Sequence, residues 1–216
     1  MNDPSALPRP RPAAPAAPAD PSAPMGTPFA GVDFRRGRLF DTTDVDEARE
    51  RCGRVFNPHQ LRLRGRAQRL RARMDHLPLG GLSLNRLTWG ARVAVDPDRL
   101  ERYYLLSVPV AGRARFHLAG QAVDVTPRCA AVVNAAQRFH FEADEGFDQI
   151  CVRFERAALE AAWQALTGRP PPGPLDLAVP VPLDGAAWRA LAPVLEMLAR
   201  AAPRAGTAGP ASLPHL

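Results

Sequence analysis

The sequence has no lysine at all, so every one of its 28 basic residues is arginine, and isoleucine occurs once, at Ile150. Lysine and isoleucine codons are AT-rich, whereas those for arginine, alanine, proline and glycine are GC-rich. Part of the formal charge of +6 and of the pI near 10.4 therefore reflects coding composition, which weakens the usual inference from a basic chain to a nucleic-acid or membrane partner. Cysteine is scarce. Cys52, Cys129 and Cys151 stand far apart in neither C-x-x-C nor Cys/His spacing, which excludes a disulfide framework and a zinc knuckle and leaves reduced thiols in a cytosolic chain. No apolar run reaches the roughly eighteen residues of a membrane span. The N-terminus lacks the apolar segment of a secretory signal, so the expectation is a soluble, cytoplasmic protein with no membrane partner. Glycine-rich phosphate loops, the G-x-S-x-G elbow and Cys/His nucleophile pairs are missing too. Asp144, Glu145 and Asp148 cluster between two expected strands and read as a solvated acidic loop.

What is present falls into three parts. Residues 1–28, MNDPSALPRPRPAAPAAPADPSAPMGTP, are rich in proline and alanine, lack periodicity, and hold too few large apolar groups to offset the entropy of ordering; a disordered tail is expected, with translation starting at Met25. Folding is expected to begin near Phe34. In DTTDVDEARERCGRVF, Thr43 stands before an acidic first turn, and Val45, Ala48, Cys52 and Val55 follow at helical spacing until Asn57 and Pro58 end the run. From Leu61 to Phe154 the helical period gives way to short alternating runs. In GRARFHLAGQAVDV, Ala114, Phe116 and Leu118 share one face and Arg113, Arg115 and His117 the other; Ala119 to Gln121 turn the chain, and Val123 and Val125 continue the apolar face. Further strands are expected at 82–89, 91–95, 103–110, 130–134, 139–142 and 148–154. So many short strands indicate a small sandwich or barrel.

After Phe154 helical spacing returns. Leu159, Ala162, Trp163 and Leu166 lead to Gly168 as a C-cap; a proline-rich loop follows, and Asp184 is placed to cap a last helix with the stripe Trp188, Leu191, Leu195, Leu198. Pro193 inside it should kink or split the helix. The arginine-dense stretch LRLRGRAQRLRARM, Leu61 to Met74, fits this order as an outer strand face, with Arg62, Arg64 and Arg66 alternating with Leu61, Leu63 and Gly65, followed by a loop.

A small barrel can hold a metal or a ligand. Metal chemistry on a cupin barrel uses a His-x-His pair with a carboxylate and a distant histidine, but His117 and His140 stand alone, followed by Leu118 and Phe141; a metal-dependent cupin-fold enzyme is the alternative this pattern disfavours, and neither a metal nor a cofactor is expected. For a small-molecule pocket, Trp89, Tyr104, Phe139 and His140 are candidate walls and Asn134 a candidate polar contact.

The segments DVDEARERCGRVFNPHQL, LGGLSLNRLTWGARVAVDP, YYLLSVPVAGRARFHLAGQAVDVTP, CVRFERAALEAAWQALTGRPPPGPLDL and WRALAPVLEMLARA together resemble the N-terminal effector-binding and dimerisation domain of AraC/XylS-type transcription regulators, in its AraC-binding-like form. One departure is Arg128 after Pro127, where a Pro-Gly turn is usual. The resemblance implies a mainly β fold with flanking helices: a cupin-like jelly-roll barrel (double-stranded β-helix) preceded by a short helix and followed by two. It also implies a small-molecule effector and a homodimer, with Val194, Leu195 and Leu198 of the last helix as dimer candidates. Residues 34–203 would form this non-enzymatic sensor domain. Residues 204–216 would begin a linker toward a helix-turn-helix domain not present here, through which alone DNA would be bound.

Overall fold

The computed structural model describes residues 29–65, 69–118 and 120–202. The expected tail, Arg66, Ala119 and the linker stub lie outside the described residues.

After a 3-10 turn at Phe34–Gly37, the chain forms β1 (Arg38–Thr42), α1 (Val45–Val55), β2 (His59–Leu63) and β3 (Ala72–Pro78). Eight further strands follow: β4 (Leu82–Thr88), β5 (Val93–Pro97), β6 (Tyr103–Ala111), β7 (Ala114–Leu118), β8 (Gln121–Val125), β9 (Cys129–Val133), β10 (Phe139–Ala143) and β11 (Asp148–Glu155). The chain then closes with α2 (Arg156–Thr167), a short β12 (Pro180–Pro182) and α3 (Ala186–Ala201). One sheet runs β1-β3-β4-β11-β6-β9-β12 and the other β2-β5-β10-β7-β8, with every pairing antiparallel. Within this order β4-β11-β6-β9 faces β5-β10-β7-β8, which is the strand arrangement of a jelly roll. The fold is thus mainly β and cupin-like, with the helices outside the barrel, as the sequence led one to expect.

The strand patterns follow from the two layers. On β7 and β10 the inward Ala114, Phe116, Leu118, Phe139 and Phe141 are buried, and Phe116 stacks on Phe141 with ring centroids 4.7 Å apart. Their outward neighbours are Arg115, His117, His140 and Glu142, so that sheet has one wet face. β6 differs: YYLLSVP is buried along both faces, because the outer side of the larger sheet carries a second core. There Trp188, Leu195, Ala199 and Ala202 of α3 and its cap meet Phe29, Val32 and Phe34 over Leu84, Leu106, Val108, Ile150 and Val152. Burying Trp188 and Leu195 stabilises the docked helix by about 2–3 kcal/mol each. The Phe29 amide donates to Glu196 Oε1 at 2.9 Å, and the Arg36 guanidinium donates to the Ala199 and Arg200 carbonyls, which supplies donors that the end of α3 lacks.

Several expectations are corrected. The helix-capping residue of α1 is Asp44, not Thr43: its Oδ1 accepts from the Asp46 and Glu47 amides at 2.8 and 2.9 Å, while Thr43 stands one residue further out. α3 starts after Gly185 with no side-chain cap, so Asp184 does not serve. Pro193 does not split α3; it sits on the exposed face, where the Arg189 carbonyl it leaves without a helical donor can turn to water. The core already includes Phe29 and Val32, before Phe34. The stretch after Gly65 is not all loop. Exposed Arg69, Arg71 and Arg73 alternate with buried Leu70, Ala72 and Met74, and from Ala72 they form β3, so the strand period noted for Leu61 to Gly65 resumes on the other sheet. Strands β1 and β12 were likewise not foreseen; both are short edge strands. The turn without glycine after β8 is regular, with Thr126 and Cys129 exchanging backbone hydrogen bonds at 3.0 and 2.8 Å.

Candidate functional site

Between the two sheets the barrel keeps a cavity of about 50 Å³, room for one or two waters. Its wall is apolar: Leu87, Val95, Leu105, Phe116, Phe139 and Phe141 come from the strands of both sheets, and Cys52 and Phe56 come from α1 and its C-cap, which close the end of the barrel. No arginine or carboxylate lines it.

The wall also carries polar groups, and three of their atoms have no hydrogen-bond partner: His59 Nε2, Trp89 Nε1 and the Tyr103 hydroxyl. Trp89 and Tyr103 are 2% and 1% exposed, so bulk water does not serve them. A buried polar group without a partner costs about 1–3 kcal/mol, and three on one cavity mark a place where something polar belongs. The state of His59 follows from geometry. Its Nδ1 lies 3.0 Å from the Asn57 carbonyl, which can only accept, so the proton sits on Nδ1 and Nε2 is a bare acceptor. Burial, reinforced by the charge of Arg49, lowers the His59 pKa and keeps the ring neutral. Its ring meets Trp89 edge-on with centroids 6.3 Å apart. Tyr103 lies under the Arg153 guanidinium, 4.5 Å from its ring centroid, and burial raises its hydroxyl pKa, so it stays an O–H donor. Gln149 is fixed by the Ser107 hydroxyl, which donates to its Oε1 at 2.6 Å. The Cys52 thiol is pushed up to about 12 by burial, and Cys151 is raised by burial and by Cys52 beside it; both are inert thiols at neutral pH.

Of the five residues singled out from sequence, Trp89 and Phe139 line this cavity. Tyr104 points to the opposite side of β6. Its hydroxyl donates to Glu160 Oε1 at 3.1 Å and accepts from the Leu175 amide at 2.6 Å, which ties α2 and the proline-rich loop to the sheet. Asn134 holds the same loop: its Nδ2 donates to the Leu177 carbonyl at 2.9 Å and its Oδ1 accepts from the Leu177 amide at 3.1 Å. His140 is on the outer face, stacked on His117 across β7 and β10 with centroids 4.5 Å apart. Among the dimer candidates, Leu195 is 1% exposed and packed on its own sheet, Leu198 is half-buried, and Val194 is 47% exposed. Sequence reasoning missed His59, Tyr103 and Gln149. The alternation HQLRL carried the signal for His59, since Leu61 on the same face is buried.

Among the described residues no group of three or more His, Cys, Asp or Glu is placed to hold a metal ion, and no helix is long and apolar enough to cross a membrane. The acidic loop is engaged in ion pairs: Asp144 with Arg113 at 2.7 Å and Asp148 with Arg86 at 2.6 Å.

Comparison with known proteins gives three kinds of match. Residues 48–216 match the family model described as the AraC-binding-like domain. The chain is 24% identical over 160 residues to the Probable thc operon regulatory protein of Rhodococcus erythropolis, covering 71% of this chain and 48% of that protein, so it spans about half the length of this curated relative. Among solved structures it is similar to the AraC-like transcriptional activator CuxR (13% identity, TM-score 0.45, covering 61% of this chain and 52% of that one). It is also similar to the cupin-2 domain protein Rru_A2000 from Rhodospirillum rubrum (14% identity, TM-score 0.35, covering 51% and 88%).

Proposed function

The chain belongs to the AraC-binding-like domain family, and from that membership we propose that it is the effector-sensing and dimerisation domain of an AraC-type transcription regulator, acting in the cytoplasm. The effector is a small molecule held inside the barrel, and DNA is contacted by a helix-turn-helix unit outside the sensor domain. The observation that carries this reading is the barrel cavity with three unpartnered polar atoms on an otherwise apolar wall: a dry pocket with a few fixed polar groups is the composition of a small-molecule site. The barrel histidines His117 and His140 stack on each other on the outer face of their sheet, away from the cavity, which supports a binding role over a metal-dependent reaction inside the barrel.

Effector and dimer would be coupled through α1, which closes the cavity with Phe56 and packs on β1, β2 and β3. A ligand that fits only when α1 shifts carries differential affinity for two arrangements, which is what coupling requires. The surface available for self-association is the exposed side of α3, where Val194 and Met197 are 47% and 63% exposed, and that of α2, where Trp163 and Leu166 are 42% and 87% exposed. The test is a small-molecule screen read by the indole N–H resonance of Trp89, with light scattering alongside. The reading stands if compounds that move Trp89 also change the dimerisation constant; it falls if binders perturb only surface resonances.

A further inference from the structure

The three unpartnered atoms also specify what kind of molecule fits them. Trp89 Nε1–H can only donate, and His59 Nε2, with the proton fixed on Nδ1 by the Asn57 carbonyl, can only accept. Both residues line the same cavity and their rings meet edge-on, so one group that both accepts and donates is complementary to the pair. A hydroxyl oxygen does this; an ether or ketone oxygen only accepts, and an ammonium only donates. The Tyr103 hydroxyl, 1% exposed, remains for a second polar group. The body of the molecule is set by Phe116, Phe139 and Phe141, an aromatic wall whose rings lie within 8–11° of parallel to one another and against which a flat apolar ring packs. Among the described residues neither arginine nor carboxylate lines the cavity, and the Arg153 guanidinium over the Tyr103 ring is already paired with Glu155 at 2.9 Å, so a charged group entering would lose its hydration for little return.

Resting on the sensor reading above, we infer that the effector class is an uncharged hydroxy-aromatic compound whose hydroxyl accepts from Trp89 Nε1–H and donates to His59 Nε2. The cavity of about 50 Å³ is smaller than such a ring, so a wall must yield on entry. Phe56 is the wall that yields: it is half-buried at the C-terminal end of α1, whereas Phe116, Phe139 and Phe141 are held in paired strands. The inferred class therefore also names the element through which occupancy is signalled, the end of α1.

The full chain is titrated with phenol, anisole, toluene, benzoate and benzylamine, with heat and the Trp89 indole resonance as readouts. Phenol is expected to bind and move that resonance. Anisole, which keeps the acceptor and loses the donor, should bind at least tenfold more weakly, toluene weaker still, and the two ions not at all. Trp89→Phe should weaken phenol at least tenfold and erase its preference over toluene, and Phe56→Ala should tighten phenol by opening the wall. The anisole and toluene comparison needs no variant, so a misfolded Trp89→Phe leaves the inference exposed to refutation. Equal affinity for phenol and toluene overturns it, as does phenol binding that leaves Trp89 unmoved. Benzoate, benzylamine or a sugar moving Trp89 in place of phenol overturns the class while the sensor reading stands. A folded chain in which no compound of any class, in this panel or in the screen above, moves Trp89 overturns both.

Discussion

Asn134 offers the sharpest test, because sequence and structure give it different jobs. As a pocket contact it would touch effector; in the structure it extends a sheet. β12 pairs with β9 from Cys129 to Ala131, but Pro180 and Pro182 have no N–H to donate, so the ladder is weak on that edge. Beyond it the Val132 amide donates to the Val179 carbonyl at 2.8 Å, and then the Asn134 side-chain amide takes the place of a peptide group, exchanging two hydrogen bonds with Leu177 at 2.9 and 3.1 Å. Asn134 itself is 7% exposed. Asn134→Ala deletes both Leu177 bonds, at about 1 kcal/mol each, together with the longer one to Asp176, for a loss of at least about 2 kcal/mol, or about 4–8 °C in Tm for a chain of this size. Asn134→Asp is the more discriminating change. The carboxylate can still accept from the Leu177 amide, yet it faces the Leu177 carbonyl and Asp176 Oδ1, the latter 3.3 Å from Asn134 Nδ2. It should therefore cost more than alanine at pH 7 and recover part of the loss near pH 4, as the carboxyl protonates. Thermal melts at the two pH values, with ligand affinity measured in parallel, decide the matter. A variant with unchanged Tm and abolished ligand binding would refute the clamp and restore Asn134 to the pocket.

Stability should fall in alkali: the Cys52 thiol titrates near 9.0 when unfolded and at about 12 in the fold, so its contribution is complete below pH 9 and is lost as pH rises toward 12, with Cys151 acting in the same direction. By pH 10.5 this is about 2 kcal/mol for one thiol, and urea midpoints should show a shallower pH slope in Cys52→Ala than in the native chain; an identical slope contradicts the assignment. Gly112 has φ +67°, and a methyl group there would meet the Gly146 carbonyl oxygen at 2.5 Å, so Gly112→Ala should cost about 2–4 kcal/mol by denaturant titration, far more than Gly120→Ala, where nothing lies within 4 Å. On α3, the proposed self-association surface, Val194→Glu should weaken dimerisation in light scattering with little change in Tm, whereas Leu195→Ala should lower stability by about 2–4 kcal/mol at every protein concentration; the reverse pattern would make Leu195 the dimer contact. Arg62→Gln with Arg64→Gln should leave the melt within about 1 °C, because the Arg62–Gln60 hydrogen bond is exposed and the Arg64–Glu142 pair, 3.3 Å apart, is exposed on both sides.

Much of this was written into the sequence by period alone. The eight jelly-roll strands, the hairpin at Gly120, the C-cap at Gly168 and the amphipathic runs of α1 and α3 follow from apolar spacing and turn residues, which act locally and survive without knowledge of the partner strand. Trp89 and Phe139 were legible for the same reason, and the outward direction of His140 was there to be read between Phe139 and Phe141. Tertiary structure decided what period leaves open. Alternation says that Tyr103 and Tyr104 lie on opposite faces of β6; with both faces apolar it cannot say which one enters the barrel, and the second core beneath α3 hides that choice. Nor can spacing show that Asn134 meets Leu177, that Arg36 caps a helix far along the chain, or that His59 of β2, Trp89 just after β4 and Tyr103 of β6 converge on one cavity. Those are long-range meetings, fixed by how two sheets close on each other.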